Sequence, residues 1–166
     1  MSILRFLKLL ALALWIGSIF FFAAVVAPAA FAVLPTRTQA GMIVSRSLVG
    51  LHWIGVVCGL VFLLCAALLA LVEGGRTPFH GRDLLMVAML AITLGAHFGI
   101  ERRMNNLKSD MGVIDVIPKE DARRVEFNRL HVWSERLEGS VFFCGLLLFY
   151  LTVREQESGE RRYYRG

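Results

Sequence analysis

Charged residues are scarce in this chain of 166 residues, and they are concentrated in short segments between long apolar stretches. They make up 19% of the sequence, against 57% for hydrophobic residues, and the mean hydropathy is +0.63. A helix of a soluble core would alternate apolar and polar faces, whereas stretches such as Val56–Val72 are apolar all round. The scarcity of charge therefore excludes an ordinary soluble domain.

Motifs for covalent catalysis are also missing from the sequence. Its three cysteines, Cys58, Cys65 and Cys144, form no Cys-x-x-Cys pair, and all lie in apolar stretches. There is no glycine-flanked serine elbow, no phosphate-binding glycine loop and no cysteine beside a histidine. We therefore expect a non-enzymatic membrane role.

Four apolar stretches have the length that a transmembrane helix requires, about 20 residues for about 30 Å of hydrocarbon. They predict an all-α integral membrane bundle of four transmembrane helices, with both termini on one side and residues 155–166 forming a charged, disordered tail. The lipid bilayer is the expected partner, in a bacterial inner membrane. The predicted spans are 9–34, 48–72, 84–100 and 132–153, within one domain of residues 1–154.

The net charge of +5 does not indicate nucleic acid binding, because the basic residues lie at helix ends and in the tail. Such residues meet lipid head groups. They are evenly split between the two sides, so the positive-inside rule gives no orientation. Arg5, Lys8 and a small-x-small triplet at Ala30–Ala32 also resemble a signal peptide, but the apolar run is longer than such peptides have. We therefore expect this first apolar run to be retained as a transmembrane helix.

Local signals mark the helix ends and contacts. Pro28 predicts a bend in the first helix, Thr36 and Gln39 fit a capping box, and Gly74–Pro78 is typical of a turn. Two Gly-x-x-x-Gly motifs predict close helix packing and a possible homo-oligomer. They are Gly55/Gly59 and Gly95/Gly99.

Three histidines occupy equivalent depths in three predicted spans. His52 follows the start of the second span, His97 precedes the end of the third, and His131 lies at the entry of the fourth. Since alternate helices run in opposite directions, all three are expected near one membrane face.

Further polar residues accompany the histidines. Spacings of three and four place a series of them on one face of the fourth helix, and a spacing of four does the same on the third. We expect Glu135 and Glu138 to be paired or protonated, with Arg46, Arg102 and Arg136 as candidate partners. The predicted polar network is Arg46, Glu101, Asn128, Glu135 and Glu138.

Three interpretations of this polar layer stay open. It could be structural, with hydrogen bonds that fix the register of the helices. The histidines could instead hold a cofactor such as haem b, or a transition metal. The layer could also form a polar entrance for a small solute or a proton, since ionisable groups within membranes mark such pathways.

The order of several short motifs resembles the transmembrane protein 205-like family of small four-helix membrane proteins, which includes a domain of unknown function. The motifs are Leu14–Gly17, Val25–Pro28, Arg37 with Ala40-Gly41, and Phe127–His131 with Ser134. The resemblance implies fold and membrane location, and it carries over no catalytic residues. The segment Glu101–Met104 departs from it by being charged and lacking proline. A looser similarity in size and histidine placement links the chain to copper-resistance D domains and four-helix protoporphyrinogen oxidases.

An even number of crossings requires both termini to lie on the same side of the membrane. Reporter fusions after Gly166 and at Gly112 should therefore give opposite signals. Matching signals at the two positions would contradict the four-span topology, and both orientations in one population would indicate dual topology.

Overall fold

The computed structural model describes residues 2–72, 81–112 and 116–163, with the side chains of residues 3–154 among them. The described residues form four long helices and no strand. The predicted all-α class and bundle of four membrane-spanning helices are thereby confirmed.

The first and third helices each contain one π-helical turn, in which the backbone hydrogen bond spans five residues. Helix α1 consists of Ser2–Phe21, the π-turn Phe22–Val26 and Ala27–Val33. Helix α2 is Arg37–Val72. Helix α3 consists of Gly81–Gly95, the π-turn Ala96–Glu101 and Arg102–Met111. Helix α4 is Ala122–Tyr163.

All four helices are long and apolar enough to cross a membrane. The candidate spans have 31, 36, 31 and 33 residues, although about 20 are enough for the hydrocarbon. The helices therefore extend beyond the apolar layer or tilt within it. The predicted spans lie within these helices apart from Leu34, which follows the end of α1.

All four helices contribute to one apolar core. Its most deeply buried members include Leu12, Phe62, Met86 and Leu148, none of which has measurable exposure. Other large apolar side chains point outward, as Leu68 does with 38% of its surface exposed. In a bilayer this outer surface contacts lipid, as the sequence predicted.

Two of the four motif glycines lie at close helix contacts. A Cβ on Gly55 would lie 2.5 Å from Trp15 Nε1, and one on Gly59 would lie 2.6 Å from a Leu90 methyl carbon. The packing prediction is confirmed for this pair. It is wrong within the chain for Gly95 and Gly99, whose Cβ positions have nothing within 4 Å. A homo-oligomer through these open glycines stays a prediction.

The π-turn of α1 ends just before Pro28. The amide of Ala27 donates to the carbonyl of Phe22, five residues earlier. Proline has no amide hydrogen and its ring crowds the carbonyl four residues before it. The irregularity that the sequence predicted near Pro28 thus takes the form of a widened turn.

The predictions for the capping box at Thr36 and for the C-terminal tail have different outcomes. Thr36 Oγ1 accepts a hydrogen bond from the Gln39 amide at 3.2 Å, so the first half of the capping box is confirmed. The predicted turn at 74–78 lies outside the described residues. Helix α4 continues to Tyr163, so most of the expected disordered tail is helical backbone.

Asp121 caps the start of α4 outside the candidate spans. Its Oδ1 accepts from the Arg123 amide at 2.8 Å, and its Oδ2 accepts from the Arg123 guanidinium at 2.9 Å. These hydrogen bonds favour the ionised carboxylate and lower the pKa of Asp121 to about 2.

Replacing Gly55 with alanine should destabilise the bundle, because the added methyl group meets the ring of Trp15, which is 1% exposed. Overpacking of this kind costs about 1–3 kcal/mol of unfolding free energy. Gly50→Ala is the matched control, since its Cβ position on the same helix has nothing within 4 Å. Thermal unfolding in detergent measures both, and equal stability of the two variants would contradict the described packing.

Candidate functional site

A buried histidine lies between two carboxylates from neighbouring helices. His52 of α2 is 2% exposed. Its Nε2 is hydrogen-bonded to Oε1 of Glu138 on α4. Its Nδ1 lies 3.3 Å from Oε1 of Glu101 on α3. This side chain therefore connects three helices at one depth.

The π-turn of α3 supplies both His97 and Glu101. His97 Nδ1 lies 3.0 Å from Glu101 Oε2, so the two side chains share one face of the turn. The His97 ring stands edge-on to His52, with 5.6 Å between ring centroids, and Trp53 covers its other side at 5.9 Å. We refer to His52, His97, Glu101 and Glu138 as the histidine–glutamate cluster.

Some polar atoms of this region have no hydrogen-bond partner. Among the described residues, these buried side-chain atoms are His52 Nδ1, Glu101 Oε1 and Thr93 Oγ1. Beside them is a cavity of about 10 Å³, close to the volume that one water needs. It is lined by His52, Trp53, Val56, Thr93, Leu94 and His97.

The third histidine lies apart from this cluster. His131 Nε2 is 3.2 Å from Glu135 Oε1, one turn along α4, and its ring stacks on Phe127. The side chains of His131 and Glu135 are 45% and 67% exposed. No described contact joins His131 to His52 or His97, so the structure brings together two of the three predicted histidines.

A much larger cavity, of about 820 Å³, opens between the helices at the same end of the bundle. It is formed by the later halves of α1 and α3 and the earlier halves of α2 and α4, and both π-turns contribute to its wall. The predicted polar face of α4 lines it throughout. Those residues are Arg124, Asn128, His131, Glu135 and Glu138.

Lys108 also lines this cavity, although no motif in the sequence marks it. Its Nζ donates to Ser45 Oγ at 2.6 Å and to the Gly41 carbonyl at 3.3 Å, and it lies 5.6 Å from the centre of the Phe127 ring. Lys108 lies seven residues after Glu101, two helical turns along α3. This spacing places the two residues on one face of the helix, and it is the signal by which the sequence could have indicated Lys108.

The expected arginine partners of the carboxylates differ from the observed ones. Arg46 and Arg102 are exposed, and within the described part of the chain no contact joins either to the cluster. Arg136 lies over the Trp133 ring at 5.6 Å. Histidines take their place, since His52 contacts Glu101 and Glu138, and His97 contacts Glu101.

Four apolar helices and a polar site between their ends define a multi-pass membrane protein. The chain belongs to the family defined by a domain of unknown function, DUF4149, whose profile matches residues 10–112. This match includes most of α1 and all of α2 and α3, and with them His52, His97 and Glu101. No curated protein and no solved structure matches the chain significantly.

Replacing Glu138 with alanine should destabilise the protein, because it removes the acceptor of the buried His52 N–H. An unsatisfied buried donor costs about 1–3 kcal/mol. Glu138→Gln keeps an acceptor oxygen and should restore part of this loss.

The matched control is Glu135→Ala on the same helix. Its side chain is 67% exposed, and surface changes usually stay within about 0.5 kcal/mol. Thermal unfolding in detergent compares the three variants. If Glu135→Ala is as destabilising as Glu138→Ala, the His52–Glu138 contact is not a stabilising interaction.

Proposed function

We propose that this protein is a non-enzymatic protein of the bacterial cell membrane that binds a small amphipathic anion in its large cavity. The observation that carries the proposal is an imbalance of charge pairing. The carboxylates of the cavity have histidine partners, while two of its cationic groups donate hydrogen bonds, among the described residues, only to uncharged oxygens. The resemblance to the transmembrane protein 205-like family fits a membrane role, and this narrower family assignment is part of the proposal.

The acidic side of the imbalance is satisfied within the protein. Glu101 contacts His52 and His97, Glu138 contacts His52, and Glu135 contacts His131. One oxygen of each carboxylate therefore has a histidine partner without a ligand, although Oε1 of Glu101 accepts no hydrogen bond from the described residues.

Lys108 and Arg124, in contrast, donate their hydrogen bonds to uncharged oxygens. Lys108 donates to a hydroxyl and a backbone carbonyl, and Arg124 donates to the carbonyl of Ile117. Uncharged oxygens accept the hydrogen bonds of these groups, and no carboxylate of the described residues forms an ion pair with either. An anionic group between Lys108 and Arg124 would supply the missing charge through stronger, charge-assisted hydrogen bonds.

Apolar side chains complete the wall of the cavity. Ile19, Phe31, Leu48 and Phe142 are among them. The volume of about 820 Å³ falls in the range of about 300–1,000 Å³ usual for small-molecule sites. A ligand with an apolar body and one anionic end matches such a wall.

Binding fits this conformation better than open permeation does. At the far end of the bundle, Leu12, Phe62, Met86 and Leu148 are packed without exposure. A continuous solute path would have to pass through this packed core, so the alternative role of a small-solute permeation protein requires a second conformation.

Haem b belongs to the same ligand class, because it is a flat apolar ring with carboxylate groups. His52 and His97 do not fit as a pair of axial ligands, since their rings meet edge to face and leave no space for a ring between them. His131 fits better, because it lines the large cavity. We propose His131 as the iron ligand if haem is the occupant.

Binding of a dansyl-labelled undecanoic acid to detergent-purified protein tests the proposal. Fluorescence should report saturable binding, and the corresponding uncharged alcohol should bind more weakly. Lys108→Met removes the charge and keeps an unbranched side chain that is one atom shorter, so the acid should bind about tenfold more weakly, a change of about 1.4 kcal/mol. Lys119→Met, at an exposed loop position, should leave the affinity unchanged.

Equal affinities for acid and alcohol, or an unchanged affinity in Lys108→Met, would refute anion recognition by the cavity. A parallel titration with haemin tests whether haem is the ligand of the cavity. A Soret shift that is lost in His131→Ala would identify haem, whereas binding of the fatty acid alone would exclude it.

A further inference from the structure

We propose that the histidine–glutamate cluster binds a divalent transition-metal ion, with His52 Nδ1, His97 and Glu101 as ligands and Glu138 as the group that orients His52. The cluster adjoins the large cavity through Glu101 and Glu138, but the proposal does not depend on what that cavity binds. It rests on proton placement, the spacing of donor atoms and the small cavity beside them.

Proton placement leaves a bare lone pair on His52. A neutral imidazole carries one N–H and one acceptor nitrogen. In the neutral tautomer that donates Nε2–H to Glu138, Nδ1 is the acceptor. That nitrogen lies 3.3 Å from Glu101 Oε1, which in the carboxylate is also an acceptor, and neither atom has a hydrogen-bond partner among the described residues. Two buried lone pairs then face each other, and a metal ion between them would satisfy both.

Donor spacing is compatible with a metal ion. One donor atom each from His52, His97 and Glu101 lies within 4.8 Å of the other two. Zinc bonds to nitrogen and oxygen are about 2.0–2.2 Å long. Small side-chain rotations are enough to bring the three atoms to those distances around one ion.

The neighbouring cavity of about 10 Å³ gives room for one further small ligand. Zinc sites with three protein ligands keep a water in the fourth position. The buried hydroxyl of Thr93, which has no hydrogen-bond partner, lines this cavity together with His52 and His97. A metal-bound water there would give Thr93 Oγ1 a partner.

The chemistry of the donors selects the class of metal. Two imidazoles and one carboxylate suit zinc, copper, nickel or cobalt, whereas calcium and magnesium prefer oxygen ligands alone. The hydrogen bond from His52 to Glu138 has the form of a carboxylate–histidine–metal arrangement, which fixes the tautomer and raises the basicity of the ligating nitrogen.

The competing explanation is a proton instead of a metal. If His52 carries two protons, Nδ1–H can donate to Glu101, and an imidazolium lies between two carboxylates. That arrangement would need no ion. The two explanations differ in whether the purified protein binds metal stoichiometrically.

Cobalt and zinc titrations of full-length, chelator-treated protein in detergent test the proposal. Co²⁺ should bind at one ion per chain and give the visible absorption bands of a nitrogen and oxygen site, and Zn²⁺ should displace it. His97→Ala should abolish stoichiometric binding. Glu138→Gln should weaken it by about 10–100-fold, as expected when the orienting partner of a metal-bound histidine is lost.

Two control variants locate the metal. Glu126→Gln changes a carboxylate that pairs with Arg103 at the surface, and it should bind Co²⁺ as the unmodified protein does. Lys119→Met, at an exposed loop position outside both sites, should also bind Co²⁺ normally.

Absence of stoichiometric Co²⁺ and Zn²⁺ binding in the unmodified protein would overturn the proposal and favour the proton-sharing cluster. Binding that survives His97→Ala but is lost in His131→Ala would also overturn it, because the ion would then be held elsewhere. Size-exclusion profiles and thermal unfolding identify variants that fail to fold. Metal binding by the unmodified protein tests the proposal without relying on any variant.

Discussion

The cost of burying ionisable groups away from water is the constraint on which this bundle depends. A lone carboxylate or histidine within the apolar layer would be strongly destabilising. His52 meets this constraint through its hydrogen bond to Glu138 on one neighbouring helix, while its other ring nitrogen faces Glu101 on another. Because each contact requires a particular helix depth, the three helices have little freedom to slide past one another. A polar cluster thus sets the register in a bundle whose other contacts are mainly apolar.

Much of this arrangement follows from helical periodicity. The series from Arg124 to Glu138 could be assigned to one face of α4 from spacing alone, and the structure places that face along the large cavity. The depth of His52 and His97 followed from counting residues in antiparallel spans. Length and hydropathy were sufficient for the number of helices, because a bilayer imposes both.

Pairing and local geometry could not be predicted in the same way. A Gly-x-x-x-Gly spacing is identical in α2 and α3, but the neighbours of Gly59 and Gly95 come from the tertiary fold. The π-turn at Ala96–Glu101 has no distinct residue pattern, although it rotates His97 and Glu101 relative to a regular helix. Which histidines meet therefore depends on packing, and His131 lies apart although its depth in the sequence is similar.

The two ends of the bundle differ in how much free volume they contain. One end is filled by close-packed side chains such as Phe62 and Leu148, and the other contains the large cavity and both irregular turns. Cooperative stability is consequently concentrated in one half of the membrane thickness. The other half can change the distances between its helices at a local free-energy cost well below that of global unfolding. Amide hydrogen exchange should be uneven along each helix, fast near the cavity and slow beyond it.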